Sequence, residues 1–328
     1  MTAEHPHVGV IGAGAWGTAL AVLANRVGSR ATLWTRNAQV IESIRERREN
    51  VQYLPDQFLD PAIQVTDSTD FIAECDLLVM TIPAQSLRTV AIALSDSIPA
   101  SIPLVLATKG IERGSLMLMS EVVQNILPYN PLAVLSGPNF AREAAAGLPT
   151  ATSLATLQLA VADKIVFALG GKFFRLYANQ DLIGTQIGGA VKNVLAIAAG
   201  IVEGKGLGEN ARAALITRGV AEICRLAKAK GGEEETLMGL SGIGDIMLSC
   251  TSTKSRNYAL GVSIGRGAMR AGGRLTEGVA TAESVTQLAR KLGVNMPIAF
   301  TVYEILSGVI PVTTAIERLL ERPMVREG

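Results

Sequence analysis

The stretch that most constrains the fold lies near the amino terminus, where Val8–Gly9–Val10–Ile11 runs into Gly12-Ala13-Gly14-Ala15-Trp16-Gly17. An apolar run, a GxGxxG sequence and then an Ala/Leu/Val-rich segment from Thr18 to Val27 read as strand, tight turn and helix. In that context each glycine has a use. Gly12 allows the turn, Gly14 lets a pyrophosphate approach the backbone, and Gly17 lets helix and strand pack closely. The helix N-terminus adds the positive end of its dipole. The chain therefore opens with a dinucleotide-binding βα unit.

The second strand, Ala31 to Thr35, ends in Thr35-Arg36-Asn37. A strict NAD site would carry Asp or Glu there to hold the ribose hydroxyls. Arg36 can instead face a 2′-phosphate, so NADPH is allowed beside NADH. Ile41 to Glu49 reads as a charged helix and Asn50 to Pro61 as a loop. Strands follow at Ile63–Val65, Leu77–Thr81, Leu104–Thr108, Ala133–Ser136, Ala151–Leu154 and Phe173–Tyr177, separated by helical patterns. Such alternation predicts a parallel, doubly wound Rossmann-type sheet with ligands outside the carboxyl ends of its strands. Two of those ends carry polar chemistry: Lys109-Gly110, and Ser136-Gly137-Pro138-Asn139 before a short helix.

Past Asn179 no strand reads convincingly. The expected division is residues 1–179 as a nucleotide-binding domain and 180–328 as an all-helical one. The second half opens with GGAVKNVLAIAAG, Gly188 to Gly200, a helix with Lys192 and Asn193 inside an apolar run. Lysine is rarely buried unless paired or used, although from a helix edge it could snorkel to the surface. Further on, Gly242-Ile243-Gly244-Asp245 opens one helix and Ser255-Arg256-Asn257 the next. A hydroxyl, a guanidinium, an amide and free backbone N–H groups at a helix start suit a phosphate, although Ser and Asp there are also ordinary caps.

Composition removes several alternatives. The net charge of +1 gives no long-range field for nucleic acid or an anionic membrane. Three dispersed cysteines without a CxxC argue against a disulfide framework or a metal site. No uncharged apolar run of about 18 residues is present, so no membrane span is expected, and with no signal pattern the default location is cytoplasmic. The two histidines, His5 and His7, sit in a polar tip, so acid–base work falls to Lys, Asp, Glu or Tyr.

Taken in order, these motifs, with Ala107-Thr108-Lys109-Gly110, Leu135-Ser136-Gly137-Pro138, Gly189-Ala190-Val191-Lys192-Asn193 and Glu277-Gly278, resemble the bacterial-type NAD(P)-dependent sn-glycerol-3-phosphate dehydrogenase family from Val8 to about Leu319. The resemblance implies an enzyme of glycerophospholipid synthesis that interconverts dihydroxyacetone phosphate and sn-glycerol 3-phosphate with NADPH or NADH. It implies Lys192 as proton donor and acceptor. It implies Lys109, Gly137, Asp245, Ser255, Arg256 and Asn257 as substrate contacts, and Trp16, Arg36, Lys109, Ala141, Arg256, Leu275 and Glu277 as cofactor contacts. Trp16 could equally be a packing residue.

Two positions depart from the family pattern. Ala15 stands where Ser or Thr is frequent, so only its backbone N–H can serve the pyrophosphate. Asn139 stands where Ser or Thr is usual and is kept as a substrate contact, since an amide both donates and accepts. A related β-hydroxyacid dehydrogenase would share the architecture and a Lys-Asn pair, but the Ser255-Arg256-Asn257 and Thr108-Lys109-Gly110 sites favour a phosphorylated substrate. A nucleotide-sensing module without catalysis is the reading from another class. A homodimer is expected, because exposed apolar helix faces tend to be covered.

Overall fold

The computed structural model describes residues 5–268 and 277–321. Leu275, a candidate cofactor contact, lies outside the described residues. The first half runs β1 (His7–Ile11), α1 (Ala15–Arg26), β2 (Arg30–Trp34), α2 (Ala38–Arg47), β3 (Glu49–Asn50), β4 (Leu54–Phe58), β5 (Gln64–Thr66), β6 (Leu77–Met80), α3 (Leu87–Leu94), β7 (Leu104–Leu106), α4 (Met119–Gln124), β8 (Leu132–Ser136), α5 (Ala141–Ala145), β9 (Thr150–Ala155), α6 (Leu159–Leu169) and β10 (Phe174–Asn179). Eight strands form one sheet in the order β10-β9-β8-β7-β6-β1-β2-β5, while β3 and β4 form a separate antiparallel hairpin. One apolar cluster covers each face of the large sheet: Leu20, Leu33 and Ile165 belong to one, Leu78, Leu87 and Val122 to the other.

The sheet departs from the expected parallel pattern at one place. β9 pairs antiparallel with β8, with Ser136 opposite Ser153, and β10 follows β9 in parallel. The cause is the length of α5. Its five residues rise about 7.5 Å at 1.5 Å each, less than half of a strand's usual ~17–20 Å. The chain therefore re-enters the sheet at the end where β8 left it. The hairpin β3–β4 is a second difference, because its residues read as the end of a charged helix followed by a loop.

The second half is helical: α7 (Leu182–Gly204), α8 (Glu209–Lys230), α9 (Glu234–Leu237), α10 (Asp245–Cys250), α11 (Arg256–Gly265), α12 (Glu277–Lys291), α13 (Pro297–Leu306) and α14 (Val312–Leu320). A π-helical turn, Leu240–Gly244, leads into α10. α7 is the hub, and α8, α10, α11, α12 and α13 all pack on it. It is long and apolar enough to cross a membrane, with a mean hydropathy of 1.4, yet 83% of that window is buried by the protein itself.

α7 and α11 meet backbone to backbone. A Cβ at Gly200 would lie 2.1 Å from the Tyr258 carbonyl oxygen, and one at Gly204 would lie 2.3 Å from that of Val262. From the other side, a Cβ at Gly261 would lie 2.1 Å from the Ile197 carbonyl oxygen. The glycines are needed for this close approach.

His7 is not in a loose tip. It opens β1, is buried, and its Nε2 lies 2.8 Å from Thr32 Oγ1. The three cysteines are buried and unpaired, and no metal-binding cluster occurs among the described residues.

Candidate active site

The glycine turn is packed on its inner side and open on its outer side. Gly12 adopts φ +115°, a region natural to glycine. Its carbonyl accepts the Thr81 hydroxyl at 2.8 Å. A Cβ at Gly17 would lie 1.9 Å from the Gly12 carbonyl oxygen, whereas one at Gly14 would meet no atom within 4 Å. Open space at the N-terminus of α1 is where a pyrophosphate fits, so the turn suits a dinucleotide.

Arg36 is exposed at the end of β2, and the next residue, Asn37, caps α2 by accepting from the Gln39 and Val40 N–H groups. Trp16, in the first turn of α1, packs edge-on against Phe174 with ring centroids 6.3 Å apart. Ala141 is the first residue of α5, and it packs on the same apolar cluster as Trp16.

Two glycines bring Lys192 to this end of the sheet. A Cβ at Gly189 would lie 2.4 Å from Ser136 Oγ, and one at Gly188 would lie 2.4 Å from the Ser241 carbonyl oxygen. α7 can thus wedge between the end of β8 and the turn before α10. The Ser136 and Ser241 hydroxyls that flank it are buried without a protein partner.

Lys192 then meets α10. Its ammonium donates to Asp245 Oδ1 at 2.5 Å and to Ser249 Oγ at 2.9 Å. Lys109, just past β7, donates to Asp245 Oδ2 at 2.6 Å and to the Gly137 carbonyl at 3.2 Å. One carboxylate, 1% exposed, thus carries two lysines that are 11% and 17% exposed. The arrangement answers the question the α7 sequence left open, because Lys192 does not snorkel. An ammonium has three N–H donors, so one remains on Lys192.

Charge on this cluster is tuned by burial. Desolvation pulls Lys109 down to about 8; Lys192 pulls the same way and Asp245 opposes. Glu277, at the start of α12, is pushed above the ordinary carboxylate range by burial, against Arg256, Lys109 and Lys192. Two lysines and Arg256 against Asp245 and a carboxyl that resists ionising leave the site positive. That balance suits an anionic substrate.

The remaining candidates hold the frame. Ser255 caps α11, its Oγ accepting from the Tyr258 N–H at 3.4 Å. Arg256 follows, exposed. Asn257 is buried, and its amide faces inward: Nδ2 donates to Asn193 Oδ1 at 3.0 Å and Oδ1 accepts from the Gly278 N–H at 3.2 Å. Its side chain therefore ties α7, α11 and α12 together, and its backbone N–H at the start of α11 faces the phosphate side. Asn193 retains a buried, unpartnered Nδ2. A side chain at Gly137 would meet Thr152, and Asn139 Nδ2 donates to Thr152 Oγ1 at 3.0 Å.

Sequence reasoning missed Ser249. Its signal was the spacing: Asp245 and Ser249 stand at i and i+4 on one helix and so share a face.

The family model for the NAD-dependent glycerol-3-phosphate dehydrogenase N-terminus matches residues 7–180, and that for the C-terminus matches residues 181–317. A glycerol-3-phosphate dehydrogenase (NAD(P)+) of Rhodospirillum rubrum is 49% identical, the alignment covering 98% of this chain and 94% of its own. One of Maricaulis maris is also 49% identical, covering 99% of each. Among solved structures, a glycerol-3-phosphate dehydrogenase of Coxiella burnetii superposes with a TM-score of 0.93 at 38% identity, covering 97% of this chain and 100% of that one.

Proposed function

The chain belongs to the NAD-dependent glycerol-3-phosphate dehydrogenase family, and from that premise we propose how its own residues perform the reaction. It is an oxidoreductase that interconverts dihydroxyacetone phosphate and sn-glycerol 3-phosphate, with NADH or NADPH as cofactor. The bound nicotinamide supplies or accepts the hydride at the carbinol carbon.

Lys192 is the proton donor and acceptor. Asp245 and Ser249 take two of its N–H donors and fix the direction of the third, which meets the substrate oxygen. As charge develops on that oxygen in the reducing direction, Lys192 gives up the proton and is left as an amine held by the same two partners. In the oxidising direction the amine takes the proton back. Asp245 accepts from Lys192 on one oxygen and from Lys109 on the other, so both lysines stay oriented. The observation that carries this reading is the shared Asp245 carboxylate.

The substrate phosphate is held by Arg256, by the N-terminus of α11 behind Ser255 and Asn257, and by the positive charge of Lys109. Gly137, whose carbonyl accepts from Lys109, and Asn139 complete the substrate side. Gly14 and Ala15 hold the pyrophosphate through backbone N–H groups, while Gly12, whose own N–H donates to the Trp34 carbonyl at 2.9 Å, shapes the turn and Gly17 lets it pack closely. Arg36 holds a 2′-phosphate when the cofactor is NADPH. Trp16, Ala141 and Glu277 complete the cofactor side.

The division at residue 179/180 assigns the pyrophosphate turn to the first half and acid–base chemistry to the second, with Glu277 reaching the cofactor from the second half. The enzyme works in the cytoplasm in glycerophospholipid synthesis. It works as a homodimer, a reading supported by exposed apolar side chains such as Leu157, Leu159 and Phe167.

The test is a steady-state assay with dihydroxyacetone phosphate and with a β-keto acid, each with NADH and with NADPH. Oxidation of reduced cofactor with the phosphorylated ketone alone is expected. Turnover of the β-keto acid in its place, or cofactor binding without turnover, overturns the reading.

A further inference from the structure

The hairpin β3–β4 reaches into the glycine turn through Asn50. Asn50 is fully buried. Its Nδ2 donates to the Ala13 carbonyl at 2.9 Å and to Thr18 Oγ1 at 2.8 Å. Its Oδ1 accepts from the Tyr53 N–H at 3.2 Å. Both donors of the amide are engaged, and both point at the cofactor turn or the first turn of α1.

The Ala13 carbonyl needs such a partner. The ladder of α1 begins one residue later, with the Thr18 N–H on the Gly14 carbonyl at 2.9 Å, so Ala13 lies outside it. A buried carbonyl without a donor is costly. Asn50 meets that need, and in doing so it fixes the Ala13–Gly14 peptide. A trans peptide is planar, with its carbonyl and N–H pointing in opposite directions. Holding the Ala13 oxygen on the buried side therefore turns the Gly14 N–H away from Asn50, in a turn where a Cβ at Gly14 would meet no atom within 4 Å.

We propose that Asn50 is a positioning residue for the cofactor: it aims the Gly14 N–H at the pyrophosphate. The proposal rests on the reading of Gly12–Gly17 as the pyrophosphate turn. Ala15 has no hydroxyl to offer, so backbone donors carry the contact there and their direction matters more. The hairpin is itself anchored. Glu49 Oε1 accepts from the Asp56 N–H at 2.7 Å, and Arg142 of α5 donates to Asp56 Oδ2 at 2.5 Å and to the Pro55 carbonyl at 2.9 Å.

The experiment is calorimetric titration of wild type and Asn50→Leu with two nucleotides. ADP carries a pyrophosphate on the adenosine. Adenosine 2′-monophosphate carries the base, the ribose and a phosphate for Arg36, but no pyrophosphate. Losing one hydrogen bond to a charged group corresponds to about tenfold in affinity. The expected result is a Kd for ADP raised about tenfold in Asn50→Leu, with adenosine 2′-monophosphate within about twofold. KM for NADPH should rise in step with the ADP Kd while kcat stays within about twofold.

Asn50→Ser, whose single hydroxyl cannot donate to Ala13 and Thr18 together, serves if Asn50→Leu does not fold, and the same split is expected of it. Equal weakening of both nucleotides, or of neither, overturns the role of Asn50 alone. A wild-type chain that binds adenosine 2′-monophosphate as tightly as ADP overturns the pyrophosphate reading of the turn, and the proposal with it.

Discussion

The Lys192 ammonium sits 2.5 Å from one oxygen of Asp245, a carboxylate that is 1% exposed and holds Lys109 on its other oxygen at 2.6 Å. Removing one partner from a buried charged cluster costs more than the bond itself, because the other charges lose their compensation. In this site, however, Asp245 keeps Lys109 when Lys192 is removed.

Lys192→Ala should therefore fold and bind cofactor near normally while losing the proton transfer. General acid–base catalysis contributes on the order of 10²–10⁴-fold, and kcat should fall by about that factor. Kd for NADPH, read by fluorescence titration, should stay within about twofold. Lys192→Arg should be as impaired, because a guanidinium does not release its proton near neutral pH. Turnover of Lys192→Ala within a few-fold of wild type would remove Lys192 from the mechanism.

Lys109 supplies a pH signature. Burial pulls its pKa down to about 8. Below that pH it is charged and, in the proposed role, attracts the substrate phosphate; above it the charge is lost. In the reducing direction kcat/KM for dihydroxyacetone phosphate should fall as pH rises through about 8. Lys109→Arg stays charged and should lose that inflection. Asp245→Asn removes the carboxylate that holds the Lys109 pKa up, so its residual activity should show the inflection at lower pH. A pH profile identical in wild type and Lys109→Arg would show that Lys109 does not set it.

Arg36 tests the cofactor side. It stands exposed at the end of β2, where the residues Thr35-Arg36-Asn37 carry no carboxylate for the ribose hydroxyls. A hydrogen bond to a charged group is worth about 1.5–3 kcal/mol, or about 10–100-fold. Arg36→Asp should lower kcat/KM for NADPH by that order and leave NADH equal or better. The check is the ratio of the two kcat/KM values, and an unchanged ratio would assign Arg36 to solvent.

What could be read from the sequence was local. Gly12–Gly17 declares itself because strand, turn and helix are contiguous, and Lys109 and Gly137 because strand ends fall where the strands stop. The glycines before Lys192 hinted at close approach without saying to what. The Asp245 carboxylate between two lysines depends on how α10 packs across α7, which no spacing along the chain encodes. Asn50 was hidden for a similar reason: its partners, Ala13 and Thr18, are distant in sequence. The reversal of β9 was legible in principle, since α5 is too short to cross the sheet. The inward-facing amide of Asn257 emerges only once α7, α11 and α12 are assembled.

The α7–α11 contact sets the distance between the proposed proton donor and the proposed phosphate site, because Lys192 rides on one helix and Ser255-Arg256-Asn257 begins the other. With a Cβ at Gly200 or Gly261 placed 2.1 Å from a carbonyl oxygen of the facing helix, no rotamer relieves the clash, and the backbones must separate. Overpacking of this kind costs about 1–3 kcal/mol, which in a protein of this size lowers Tm by several degrees. Gly200→Ala and Gly261→Ala should both show that loss by calorimetry. Because the displaced element is the start of α11, they should also raise KM for dihydroxyacetone phosphate while leaving the Kd for ADP, bound on α1, unchanged. Should both variants melt as wild type does with unaltered KM, the helix contact does not position the phosphate site.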